Sequence, residues 1–131
     1  MIKLIYLFSK RPGMTLDEFR TYYEEKHLRI FDAQLKSPEL GQYITRHVRR
    51  YLTPVKDRMS DVTRSEFDAI LEIWFRSEEA YDAYINSPID ADLRKVVIED
   101  EERFLDRSRT QCYVVDERDA SIPGVDRPPI R

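Results

Sequence analysis

A single cysteine, Cys112, excludes an internal disulfide framework and a four-cysteine zinc site, and its simplest role is that of a buried structural thiol. Three glycines leave little material for a phosphate-cradling loop. No apolar run is long enough to cross a bilayer: the opening Met1–Phe8 turns polar at once, so it reads as a strand, not as a signal peptide or span, and a cytoplasmic location follows by default. Neither charge sign dominates, with 22 basic side chains against 25 acidic ones and a net charge of −3, which is a poor basis for nucleic-acid binding. Arg46, Arg49 and Arg50 form the one basic cluster, expected as a solvated strand edge. The two histidines, His27 and His47, stand in neither an HxH nor an HxxxH pair, so no metal site is expected. What remains is an ordinary globular composition, 41% apolar and 36% charged, in a chain of one-domain length.

Residues 2–9 are rich in Ile, Leu, Tyr and Phe and read as a first strand, stopped by the turn Arg11-Pro12-Gly13. Thr15 stands three residues before Glu18, the spacing of a reciprocal capping box. Behind it Leu16, Phe19, Tyr23, His27, Ile30 and Phe31 recur at helical steps, predicting an amphipathic helix to about Leu35, closed by Ser37-Pro38 and Gly41. Residues 42–52 are β-rich, 53–65 are polar and without period, and 66–75 form the clearest strand. Ser77 is placed to cap a short helix through Tyr81, Tyr84 and Ile85. Ser87-Pro88 and Asp90 restart the chain as a further helix with Leu93, Val96, Val97 and Phe104 as its buried stripe. Gln111–Val115 is the last strand. A domain over 1–116 and an arm over 117–131, which holds three prolines, follow.

This order makes two split βαβ units, hence an α+β fold with a four-stranded antiparallel sheet and helices on one face. In residues 67–75 one parity is wholly apolar (Phe67, Ala69, Leu71, Ile73, Phe75) and the other mixed (Asp68, Ile70, Glu72, Trp74). One layer of helices covers one face only, so the other is expected to meet a second copy of the chain.

Several side chains suit proton chemistry. His27 shares the helix stripe of Phe19 and Tyr23, so its ring is expected to face the sheet, as a proton shuttle or as a satisfied core residue. Asp68 and Glu72 share a strand face with Trp74. Either carboxyl could orient His27 or act as an acid; the alternative is a salt bridge to Arg46 or Arg50. Among eight tyrosines, Tyr6 on the first strand and Tyr43 are the prime candidates for holding a substrate oxygen, with Tyr23 and Tyr51 as further lining.

The segments Lys10–Thr15, Glu18–Tyr23 leading to His27, Phe67–Ile70 and Glu72–Ala80 resemble the EthD-type branch of the dimeric α/β-barrel, ferredoxin-like superfamily, over about residues 2–115. The resemblance implies a homodimeric, cofactor-free lyase or isomerase acting on a small aromatic, lactone or polyketide-like substrate in a pocket between helices and sheet. It places the recurrent helix histidine on His27 and a following tyrosine on Tyr43, with Tyr51 or His47 as alternatives. With Asp68 these make the catalytic set; Tyr6, Tyr23, Tyr51, Glu72, Trp74 and His47 are expected around the substrate. A third-strand cysteine of the lactone isomerases is Ile73 here. The superfamily also implies a rival reading, a cofactor-free monooxygenase of phenols; a third, from another class, is a non-catalytic small-molecule-binding or stress-response protein that uses the same cavity.

Overall fold

The structure is a computed structural model that describes residues 2–35, 41–86 and 91–126. Its elements are β1 (Lys3–Phe8), α1 (Leu16–Tyr22) continued by a π-helical turn (Tyr23–His27) and α2 (Leu28–Leu35), β2 (Ile44–Tyr51), β3 (Ala69–Phe75), α3 (Glu78–Asn86), α4 (Ala91–Phe104), a 3-10 turn (Arg107–Arg109) and β4 (Gln111–Val114). The strands form one antiparallel sheet in the order β2-β3-β1-β4, the ferredoxin-like arrangement. The helix stop expected at Ser37-Pro38, the restart at Ser87-Pro88 and Asp90, and the side chains of Phe31 and Leu93 lie outside the described residues.

Local chemistry accounts for the element ends. In the turn after β1 the Met14 amide donates to the Arg11 carbonyl at 3.2 Å, and Gly13 takes φ +85°, the left-handed position that a type II turn requires after Pro12. Thr15 and Glu18 then exchange both hydrogen bonds of a capping box. Ser77 Oγ accepts from the Ala80 amide at 3.0 Å and opens α3. The clearest strand starts at Ala69, three residues later than its composition suggests, because Asp68 is used otherwise.

Side chains of β3 alternate as expected. Ala69, Leu71, Ile73 and Phe75 are buried against the helices, and Phe75 packs its ring on Tyr81 and Tyr84 of α3 with centroids 5.3 and 5.1 Å away. The centre of the core is aromatic. Phe104 at the end of α4 is fully buried and meets Phe19, Tyr22, Tyr23 and His27, all within 5.7 Å between centroids. Burying one such ring contributes about 2–3 kcal/mol, so this contact fixes the helices relative to each other. Val96, expected in the buried stripe of α4, is instead 47% exposed, the stripe running through Val97, Asp100 and Phe104. Cys112, expected as buried, is exposed on β4, an edge strand whose outer edge pairs with nothing among the described residues.

β2 carries a bulge between Ile44 and Arg46. The extra residue turns the strand over, so that His47, Arg49 and Tyr51, opposite Ile73, Leu71 and Ala69, look toward the helices. Arg46, Val48 and Arg50 take the other face, opposite Trp74, Glu72 and Ile70. No described helix is long and apolar enough to cross a membrane.

Candidate active site

Between the sheet and the helices lies a cavity of about 500 Å³, in the size range of sites for small organic molecules. β1 supplies Tyr6 and Phe8, the first helix Tyr23, His27 and Leu28, β2 Ile44 and His47, β3 Leu71 and Ile73, α3 Tyr84, and α4 Arg94, Val97, Glu101 and Phe104. The π-turn explains why neighbours His27 and Leu28 both reach the wall. The Leu28 amide bonds back to the Tyr23 carbonyl, five residues away, so the helix is wider there than an α-helix.

His27 is held from behind. Its Nδ1 lies 2.8 Å from Asp100 Oδ2, and its ring packs between Tyr23 and Phe104, with centroid distances of 5.6 and 4.8 Å. Asp100 also accepts from the Tyr22 hydroxyl at 2.6 Å and from Arg103 at 3.0 Å. Its side chain is 4% exposed. Burial raises that carboxyl, but the bonds from Tyr22, His27 and Arg103 outweigh it and leave it below its ordinary value. An ionised Asp100 accepts the Nδ1 proton, which leaves Nε2 as the basic nitrogen. The pair therefore has the form of a base with an orienting carboxylate.

His47 has the opposite electrostatics. Burial, aided by the Arg49 cation, pulls its pKa down to about 4, so this ring is neutral near pH 7. Arg49 lies 3.2 Å from His47 Nδ1 and forks onto Glu24 at 2.7 and 3.0 Å, and Tyr51 donates to the same Glu24 at 2.7 Å. The cavity phenols are neutral too: burial pushes Tyr6, Tyr23 and Tyr84 above the usual phenol range. They present O–H donors, suited to a carbonyl or enolate oxygen.

Of the residues singled out from sequence, the fold thus gathers His27, His47, Tyr6 and Tyr23. The others stand apart from the cavity. Asp68 precedes β3, and its carboxylate accepts from the Lys10 amide at 2.8 Å, tying the β1 turn to the sheet. Glu72 is on the helix-free face, paired with Arg50, as the salt-bridge alternative had it. Trp74 shares that face, between Lys3 at 3.9 Å and Arg46 at 4.8 Å. Tyr51 is turned to Glu24, and Tyr43, just ahead of the bulge, packs on the core outside the cavity wall. Asp100, Tyr22 and Arg103 escaped the sequence reading. One signal pointed to Asp100, a carboxylate on the apolar stripe of a helix, between Val97 and Phe104. Among the described residues no three His, Cys, Asp or Glu side chains converge as a metal site would require.

A family model described as the EthD domain matches residues 11–108. The 4-carboxymethyl-4-methylbutenolide mutase of Pseudomonas reinekei is 33% identical over 105 residues, which cover 80% of this chain and 89% of the mutase. An ethyl tert-butyl ether D family protein of Bacillus halodurans superposes with a TM-score of 0.57 at 18% identity, covering 90% of this chain and 99% of its own. A protein of Arabidopsis thaliana gives 0.58 at 15% identity, with 93% and 100% covered.

Proposed function

The chain belongs to the EthD family, and from that premise we propose that it is a cofactor-independent isomerase or lyase of small lactone or aromatic compounds, working by proton transfer through His27. The observation that carries this reading is the Asp100–His27 hydrogen bond at the wall of a small-molecule cavity. Nε2 of His27 removes a proton from a carbon next to a carbonyl; the C–H bond breaks, an N–H bond forms, and the electron pair moves to the carbonyl oxygen. Asp100 stabilises the imidazolium, and a neutral phenol such as that of Tyr6 donates to the enolate oxygen. Return of the proton at another carbon, or loss of a leaving group, completes an isomerisation or an elimination. The mutase relative supports a lactone substrate, while Ile73 in place of the third-strand cysteine that the lactone isomerases carry leaves the specific reaction open between isomerisation and elimination.

A carboxymethyl-butenolide incubated in deuterated water tests the reading. Wild-type protein is expected to catalyse rearrangement or deuterium incorporation, seen by proton NMR, and His27→Asn to lose both while its circular dichroism is unchanged. Wild-type rates in His27→Asn overturn it.

We also propose that two copies of the chain pair through the helix-free sheet face. Ile5, Leu7, Val48 and Ile70 lie there beside Trp74, whose Nε1 is buried without a hydrogen-bond partner among the described residues. A second copy would cover these apolar side chains. Light scattering on the eluting protein is expected to give twice the mass of the 15.7 kDa chain; a folded monomer at high concentration overturns the pairing. The exposed thiol of Cys112 suits the reducing conditions of the cytoplasm, where we place the protein.

A further inference from the structure

Leu71, Ile73 and Val97 line the cavity with apolar surface, and Tyr6, Tyr23 and Tyr84 bring phenol donors to it from a strand and two helices. Two guanidinium groups stand on its rim, and they differ in one respect. Arg107 is engaged: its Nε donates to Glu101 at 3.3 Å and another of its nitrogens lies 3.8 Å from Glu102. That pairing also neutralises Glu101, the acidic residue on the cavity wall. Arg94, exposed on α4, makes no ion pair or hydrogen bond among the described residues. Among the described residues the site thus holds neutral phenols inside and one uncommitted cation at its edge.

Building on the isomerase or lyase reading, we infer that Arg94 is a carboxylate subsite, and that the substrate is a small monoanion whose reacting ring lies against His27 while its carboxylate is held at the rim. Guanidinium matches a carboxylate by two parallel hydrogen bonds, and it keeps its charge at any working pH. The division also suits the chemistry. An enolate formed next to His27 adds negative charge, and a carboxylate seated among the phenols would oppose it; at the rim the carboxylate keeps solvent and its own counter-charge. Arg94 is then a specificity residue that orients the substrate without touching the reacting carbon.

Calorimetry with a carboxymethyl-butenolide acid and its methyl ester, on wild type, Arg94→Gln, Arg94→Lys and Arg107→Gln, tests this. In wild type the acid is expected to bind about tenfold more tightly than the ester, with the preference shrinking as salt rises from 0.05 to 0.5 M. Arg94→Gln should erase the preference while leaving the ester unchanged; Arg94→Lys should restore part of it, and Arg107→Gln, which leaves Glu101 unpaired on the cavity wall, should weaken it without erasing it. In turnover the Arg94→Gln effect should appear in KM more than in kcat. An acid that binds no better than its ester, or an acid preference that survives Arg94→Gln, overturns the subsite. Arg94-dependent binding without turnover upholds it and removes the proton-transfer reading; turnover indifferent to Arg94 does the reverse.

Discussion

His27 and Asp100 stand 73 positions apart in the chain, yet their side chains meet at 2.8 Å because the π-turn and the last helix both close on Phe104. The carboxylate fixes which imidazole nitrogen carries the proton. Asp100→Asn keeps the shape but offers an amide where an acceptor is needed, so the ring can turn over to its other tautomer. Under the proposed chemistry, turnover should fall by about 10²–10⁴-fold, as expected when a base loses its orienting carboxylate. Tyr22→Phe removes only one of the donors that hold Asp100 and should cost about tenfold or less. Steady-state rates with matched circular dichroism spectra check both, and equal losses in the two variants would contradict the ordering.

The second histidine gives the fold a pH dependence whose sign can be worked out. His47 titrates near 6.5 when unfolded and near 4 in the folded chain. Between those values the unfolded chain binds a proton that the folded chain does not, so stability falls as pH drops from about 6.5 to about 4, by at most about 3 kcal/mol. Below that window the loss from this group is complete. Thermal melts from pH 7.5 to pH 4 should show the decline in wild type and a shallower one in His47→Gln. Parallel curves would show that His47 titrates alike in both states.

Much of this architecture could be read directly from residues. The capping box at Thr15 and Glu18, the turn at Pro12-Gly13 and the apolar parity of Ala69, Leu71, Ile73 and Phe75 each state a local rule, and each appears where the rule puts it. The site was only half legible, because its other half depends on features without a local signature. The β2 bulge decides that His47, not Arg46, faces the cavity, and strict alternation from Ile44 gives the reverse. Asp68 lies on a strand by composition, but the Lys10 amide recruits it for the turn. Asp100 reaches His27 only through the packing of two distant helices, and no spacing in the chain announces that contact.

Phe104 links stability to activity. It is fully buried and touches the His27 ring, so Phe104→Ala removes both core volume and the backing of the imidazole. A cost of about 3–5 kcal/mol is expected for the cavity left behind, visible as a lower denaturant midpoint. Phe104→Leu should cost less and remain folded, yet still slow turnover through a less constrained His27. Full activity in a folded Phe104→Leu protein would mean that Asp100 alone positions the ring.

The π-turn offers a separate test of geometry against stability. It holds one residue more than an α-turn between Tyr23 and Leu28, and Glu24, Glu25 and Lys26 within it are all partly or fully exposed to solvent. Deleting Glu25 lets the Leu28 amide bond to Tyr23 across an ordinary four-residue step, so the helix loses its irregular turn and α2 keeps its phase. Helicity and melting temperature should therefore hold or rise. His27 then stands three residues after Tyr23 instead of four, its ring leaves the line to Asp100, and the catalysed deuterium exchange should fall with the fold intact. Exchange at the wild-type rate in the shortened helix would show that the wide turn has no part in aiming the imidazole.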